Sequence, residues 1–313
     1  MAVSLKKASI FHDGLDHPEC VAVHPDGSVW AGGEAGQIYR IGPDGQSCDE
    51  VARTSGFHLG IAFAPDASWL VACDLKNKCL WKIDAKTGNV DLLARRAGAH
   101  AINIPNYPVF RRDGTLYVSE SGGFRQVNGK VLRFMPDGEG DVWHDGPFNF
   151  ANGMALAPDE SALYVACTWL PGVERIEIRP DGSAGKRSVY ARFKKVLPDG
   201  LCLDRAGNLY VSCYAPSRIY RVSKRRKVSI LIDDWEAHTI CACTNMAFGG
   251  ERFDQLFVAN LGRWHITRID LGTVGAPLAC HDPHRGMGVP PMRKRRPAAG
   301  RMAETTMPRG GGA

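Results

Sequence analysis

At 313 residues, with 44% hydrophobic and 23% charged side chains, the chain is long enough for a large core and ordinary for a soluble globular protein. Its net charge of +6 is uneven: residues 281–313 hold seven Arg/Lys against Asp282 and Glu304, so the body before them is near neutral and carries no nucleic-acid footprint. No apolar run reaches the ~18 residues of a membrane helix, and the start, Met1-Ala-Val-Ser-Leu-Lys-Lys7, lacks the apolar stretch of a secretory signal. The ten cysteines are scattered, several within apolar segments, and neither disulfide nor zinc-site spacing is evident. A cytoplasmic location is expected, with no nucleic-acid or membrane partner.

Taken in order, the chain repeats one pattern: a polar residue, a short apolar strand, a turn and a second apolar strand. The second strands align at Val29-Trp30-Ala31, Trp69-Leu70-Val71, Leu116-Tyr117-Val118, Leu163-Tyr164-Val165, Leu209-Tyr210-Val211 and Leu256-Phe257-Val258. Their central residues lie 40, 47, 47, 46 and 47 positions apart. Turn signals such as Pro25-Asp26-Gly27, Pro65-Asp66-Ala67 and Pro158-Asp159-Glu160 precede them. A third strand is expected after each: Gln37–Ile41, Lys78–Ile83, Lys130–Phe134, Val173–Ile178, Arg218–Val222 and His265–Ile269. A period near 46 residues without helical periodicity predicts an all-β fold, a six-bladed β-propeller.

The sixth repeat runs out of chain soon after Ile269. The N-terminal Ala8-Ser9-Ile10-Phe11 is therefore expected to supply its outermost strand, closing the ring and covering an open edge. Residues 1–280 would then form one propeller. Residues 281–313, rich in Gly, Pro and Arg and containing Arg293-Lys-Arg-Arg296, read as a disordered basic tail.

Eleven or twelve positions before each second-strand centre lie Glu19, Leu59 (after His58), Asn106, Asn152, Asp199 and Asn245. Alone, Asn152-Gly153 or Asp199-Gly200 would read as a turn dipeptide. Together, five of six equivalent positions are carboxylates or amides. The first strand of each propeller blade lines the central channel, so these residues should converge around its axis. Such an oxygen-only set suits one hard divalent cation, Ca²⁺ or Mg²⁺, with Mn²⁺ or Zn²⁺ as permissive alternatives.

With His17-Pro-Glu-Cys20, Ile104-Pro-Asn-Tyr107, Ala151-Asn-Gly-Met154, Pro198-Asp-Gly200 and Thr244-Asn-Met-Ala-Phe-Gly-Gly250 in this order and phase, the body resembles the SMP-30/gluconolactonase/regucalcin-like family of six-bladed propellers. The resemblance implies a single cation, Ca²⁺ first among candidates, held by Glu19, Asn152 and Asp199 with Asn106 contributing to metal or substrate contacts. It also implies that Asp199 is the general base. Gly32-Gly33 and Ser119-Glu120-Ser121-Gly122 resemble relatives of strictosidine synthase and the paraoxonases.

The activity implied is hydrolysis of a small lactone or ester. The second strands should return Asp74, Glu120, Ser121, Trp169 and Tyr214 to the rim of the pocket. Glu120, Trp169, Tyr214, Asn245 and His58 are thus expected to touch substrate along with Asn106. No Gly-x-Ser-x-Gly elbow offers a nucleophilic alternative. Two other readings remain: a non-lactonase propeller enzyme of the strictosidine-synthase kind, and a ligand- or protein-binding propeller with a structural metal.

Overall fold

The computed structural model describes residues 3–281. Six four-stranded antiparallel sheets follow one another in chain order. Their innermost strands are Cys20–Val23, His58–Phe63, Pro105–Phe110, Ala151–Leu156, Leu197–Leu203 and Cys243–Gly249, in blades 1 to 6 respectively. Each inner strand contacts those of both neighbouring blades, and blade 6 meets blade 1. The result is a closed six-bladed β-propeller.

Closure is made by the N-terminal strand Ala8–His12, which pairs antiparallel with Ile266–Asp270 as the outermost strand of blade 6. The first and last strands of the described residues thus share one sheet, and no blade there is left with its edge strand missing. The expected third strands are present, with small shifts at their starts. Lys78, for example, adopts a left-handed φ of 51°, which places it in the turn, and the strand begins at Cys79. Among the described residues no helix is long and apolar enough to cross a membrane. Beyond His281, the expected basic tail lies outside the described residues.

Side-chain alternation explains why the inner strands read as continuous apolar runs. In blade 1, Val21 and Val23 enter the core shared with blade 6, while Cys20 and Ala22 enter the core shared with blade 2. Both faces of every blade are covered, as in any sheet buried on two sides. Six such clusters, one between each pair of neighbouring blades, form the core. Among the described residues the ten cysteines form no disulfide, and most are buried in these strands.

At one end of the channel the inner strands stay apolar. Val23, Phe63, Phe110, Leu156, Leu203 and Phe248, one from each blade, line a cavity there, and residues 276–280 lie across it. This segment is tied down by the Ala276 N–H donating to the Leu203 carbonyl and by burial of Ala279 and Cys280. The chemistry of the molecule is at the other end.

Candidate metal centre at the polar end of the channel

The polar residues sit at the start of the inner strands, where pairing is irregular. Register shifts span Asn106 (between Pro105 and Pro108), Asn152 (Ala151 to Met154), Asp199 (Pro198 to Leu201) and Asn245 (Cys243 to Met246). Leu59 lies in a comparable shift in blade 2, whereas the ladder in blade 1 is regular and Glu19 immediately precedes it. Such bulges re-aim a side chain out of the sheet's alternation. The Asn-Gly and Asp-Gly pairs are therefore not turns here but parts of strands. A Cβ at Gly153 would collide with the Asp199 carbonyl, and one at Gly200 with the Thr244 carbonyl, so glycine lets successive blades approach at the ring.

A belt of hydroxyls sets the direction of each amide. Thr168 Oγ1 donates to the Pro198 carbonyl at 2.9 Å, leaving only lone pairs for Asn152, whose Nδ2 donates to it at 3.1 Å. Ser121 Oγ likewise donates to the Ala151 carbonyl at 2.8 Å and accepts from Asn106 Nδ2 at 3.0 Å. Asn245 Nδ2 donates to the carbonyls of Glu19 and Leu59, at 3.2 and 3.3 Å. In each case the amide nitrogen is consumed by an acceptor, so the oxygen faces the other way. Ser119 and Ser212 continue the belt, donating to the Asn152 and Thr244 carbonyls, and Thr244 Oγ1 donates to the Glu19 carbonyl.

The consequence is a set of stranded acceptors. Glu19 Oε2, Asn106 Oδ1, Asn152 Oδ1, Asp199 Oδ1 and Asn245 Oδ1 are all shut off from solvent, with no hydrogen-bond partner among the described residues. Buried acceptors without donors are costly, about 1–3 kcal/mol each and more when charged. Burial, and then the Asp199 charge, push the Glu19 carboxyl well above its ordinary range. Burial likewise raises Asp199 to about 8, opposed by the Asn152 amide. Two carboxylates and three amide oxygens short of positive charge are the donor set of a hard divalent cation. The residues present fit such an ion.

The other expected site residues are placed differently. His58 is fully buried: its Nε2 lies 2.9 Å from Thr54 Oγ1 and its Nδ1 3.3 Å from the Gln37 carbonyl. Both ring nitrogens are thus engaged within the protein, and burial lowers its pKa toward the neutral form, although Asp74 and Gln37 oppose this. Asp74 is also fully buried. It accepts from Asn77, from the Phe57 N–H and, at 2.7 Å, from Trp81 Nε1, and these bonds hold its pKa low against the effect of burial. It fastens a loop and is not part of the pocket rim.

Glu120 is buried beside the Asn106 strand, with its Oε2 2.9 Å from His100 Nε2. Trp169 directly follows the Thr168 that orients Asn152, and Tyr214 is 43% exposed. Sequence reasoning missed Thr168 and Thr244. A hydroxyl just after the second strand, aligned as the polar ring was aligned, was the available signal for Thr168. A further grouping, Asp16, His17 and Glu34, has ligand atoms within 4.8 Å of one another. Asp16 Oδ2 there already accepts from the Ala35 N–H and Gln37 Nε2.

The SMP-30/gluconolactonase/LRE-like region model matches residues 82–261, more than half of the chain and four of the five polar ring residues. The chain belongs to this family. A strictosidine synthase-like N-terminal model matches residues 4–41. A gluconolactonase of Zymomonas mobilis is 28% identical over 181 residues, 51% of this chain and 50% of that protein. A zebrafish (Danio rerio) regucalcin is 26% identical over 137 residues, 43% of this chain and 45% of its own length. The chain thus spans about half the length of the first curated relatives it matches.

The fold is shared more widely. A Xanthomonas campestris gluconolactonase structure superposes with a TM-score of 0.73 at 23% identity, over 84% of this chain and 89% of that one. A calcium-binding regucalcin from Agrobacterium tumefaciens superposes with a TM-score of 0.71 at 16% identity, over 86% and 96%. Within the family, this chain is a six-bladed propeller with its polar ring at one end of the channel.

Proposed function

We propose that the protein is a divalent-metal-dependent hydrolase that opens a lactone. The observation that carries this reading is the group of five buried oxygens without donors at the polar end of the channel. Glu19, Asn152 and Asp199 would hold the cation, with Asn106 beside them and Asn245 completing the oxygen-lined wall. Bound there, Ca²⁺ or another divalent cation supplies a polarised carbonyl and a more acidic water.

Asp199 is the base of this chain. Its carboxylate takes a proton from the attacking water as the water oxygen bonds to the lactone carbonyl carbon. The ring C–O bond then breaks, and the departing alkoxide regains that proton, returning Asp199 to its starting state. The alcohol stays tethered to the new acid, so little help is needed for the leaving group. Thr168 and Ser121 keep the Asn152 and Asn106 oxygens forward throughout, and the packed inner strands below exclude bulk water.

A metal analysis of the purified protein, followed by lactone hydrolysis with and without chelator, tests this. Bound cation and chelator-sensitive turnover support the proposal. Tight metal binding without turnover of sugar, aliphatic or aromatic lactones would overturn it and leave a binding propeller with a structural metal. The match at residues 4–41 favours a second reading, a non-hydrolytic enzyme of the strictosidine-synthase kind. Of the five polar ring residues, however, that segment contributes only Glu19, and chelator-insensitive activity would be its signature.

A further inference from the structure

A cluster of aromatic side chains grows out of the residues that orient the polar ring. Thr168, which receives the Asn152 amide, is followed by Trp169, and Ser121, which receives Asn106, is followed by the loop carrying Phe124 and Arg125. Phe150 stands two residues before Asn152. Phe124 meets Trp169 edge to face, with centroids 5.2 Å apart and planes at 89°, and meets Phe150 at 6.2 Å and 88°. The Arg125 guanidinium lies over both rings, 5.5 Å from Phe124 and 5.3 Å from Trp169.

Three features point to a ligand. Phe124 is 66% exposed, although its loop is tied by Gly123 N–H donating to Asn128 Oδ1 and Gln126 N–H donating to the Gly123 carbonyl. Among the described residues, Trp169 Nε1 is buried without a hydrogen-bond partner. Arg125 and Phe150 both hold left-handed φ values, 57° and 62°, a strain that persists where the surroundings impose it.

We propose that Phe124, Phe150 and Trp169 bind the non-reacting part of the substrate, so that the protein takes lactones fused to or bearing an apolar ring in preference to polyhydroxylated sugar lactones. An exposed aromatic edge recognises another ring by stacking and burial of apolar surface. The hydroxyls of a sugar lactone would instead need several fixed polar partners, whereas this wall is built of aromatic rings, with its one charged group, Arg125, stacked on them. Arg125, stacked on the cluster, positions Phe124. The inference rests on the lactonase reading of the adjacent ring for its chemistry, but the binding it describes can be measured separately.

The test compares kcat/KM for dihydrocoumarin and D-glucono-1,5-lactone in the metal-loaded protein. Dihydrocoumarin should be favoured about tenfold or more. Phe124→Ala should reduce that ratio about tenfold, chiefly through KM for dihydrocoumarin, while Phe124→Tyr, which keeps the ring, should retain it. Titration calorimetry with the ring-opened product, 3-(2-hydroxyphenyl)propionate, separates the two proposals. If no lactone is turned over, product binding that Phe124→Ala weakens would uphold the aromatic subsite while the lactonase reading fails. Turnover with a ratio unmoved by Phe124→Ala, or product binding that Phe124→Ala leaves intact, would overturn the subsite.

Discussion

The two ends of the channel are built from the same six strands and differ in almost everything else. At the polar end the inner strands bulge around Asn106, Asn152, Asp199 and Asn245, and hydroxyls take up the Asn106 and Asn152 amide nitrogens, leaving their oxygens without donors among the described residues. At the other end the pairing is regular, the side chains are Val, Phe and Leu, and residues 276–280 lie across the opening. A few residues of separation along one strand thus divide the proposed coordination site from a hydrophobic base. The contrast teaches that a propeller can carry an under-satisfied ring because the packing between blades, not the ring, holds the channel together.

That contrast can be broken by experiment. The largest effect is expected from Asp199→Asn, which removes the base and one charge: kcat/KM for a lactone should fall about 10³-fold, within the range of a lost general base, with folding measured by circular dichroism unchanged. A loss under tenfold would mean the ring is not the reactive end. Phe248→Ala at the apolar end should do the reverse. Phe248 is 4% exposed and packs edge to face on Tyr210 at 5.4 Å, so its truncation should cost about 3–5 kcal/mol of stability in denaturant unfolding. Metal affinity measured below the unfolding transition should not change.

A third test concerns protons. Without a cation, burial raises Glu19 and holds Asp199 near 8, above their unfolded values near 4. A carboxyl raised in the folded state contributes stability at low pH that is lost as pH climbs from about 4 toward 8. A divalent cation favours the ionised pair, so its stabilisation should grow over the same window. The Tm gap between metal-loaded and chelated protein should widen from pH 5 to pH 8, reaching roughly 5–10 °C. A gap independent of pH would count against both carboxylates as ligands.

The smallest effect sharpens the role of the hydroxyl belt. Thr168→Val preserves shape but leaves the Asn152 nitrogen without its acceptor, so the amide can turn. Metal affinity by calorimetry should fall about 10–100-fold, as when the support of a ligand is removed, and an unchanged affinity would make the belt purely structural.

Much of this molecule was legible before its structure. The spacing of the Leu-Tyr-Val strands predicted six blades, and the missing edge of the last repeat pointed to Ala8–Phe11, which does pair there. The five polar ring residues came from the same alignment. His58 and Asp74 show where alignment stops being informative. Both stand at or beside the expected site in sequence, yet their polar atoms are taken by Thr54, Gln37, Asn77 and Trp81. Phe124, in a loop of blade 3, and Phe150, in the connection to blade 4, gave no local signal that they would meet Trp169.

By itself, then, the sequence determined the repeat, the ring closure and the identity of the polar residues, because these follow from periodicity and from residue types along one chain. Only the tertiary structure decided which oxygens are left without donors. That outcome depends on hydroxyls such as Ser121 and Thr168 just after the second strand of the same blade, on the Ala151 and Pro198 carbonyls of the next blade that those hydroxyls bond, and on bulges that turn a side chain out of its alternation. Pairing across blades is a property of the closed ring, and no stretch of a single blade contains it.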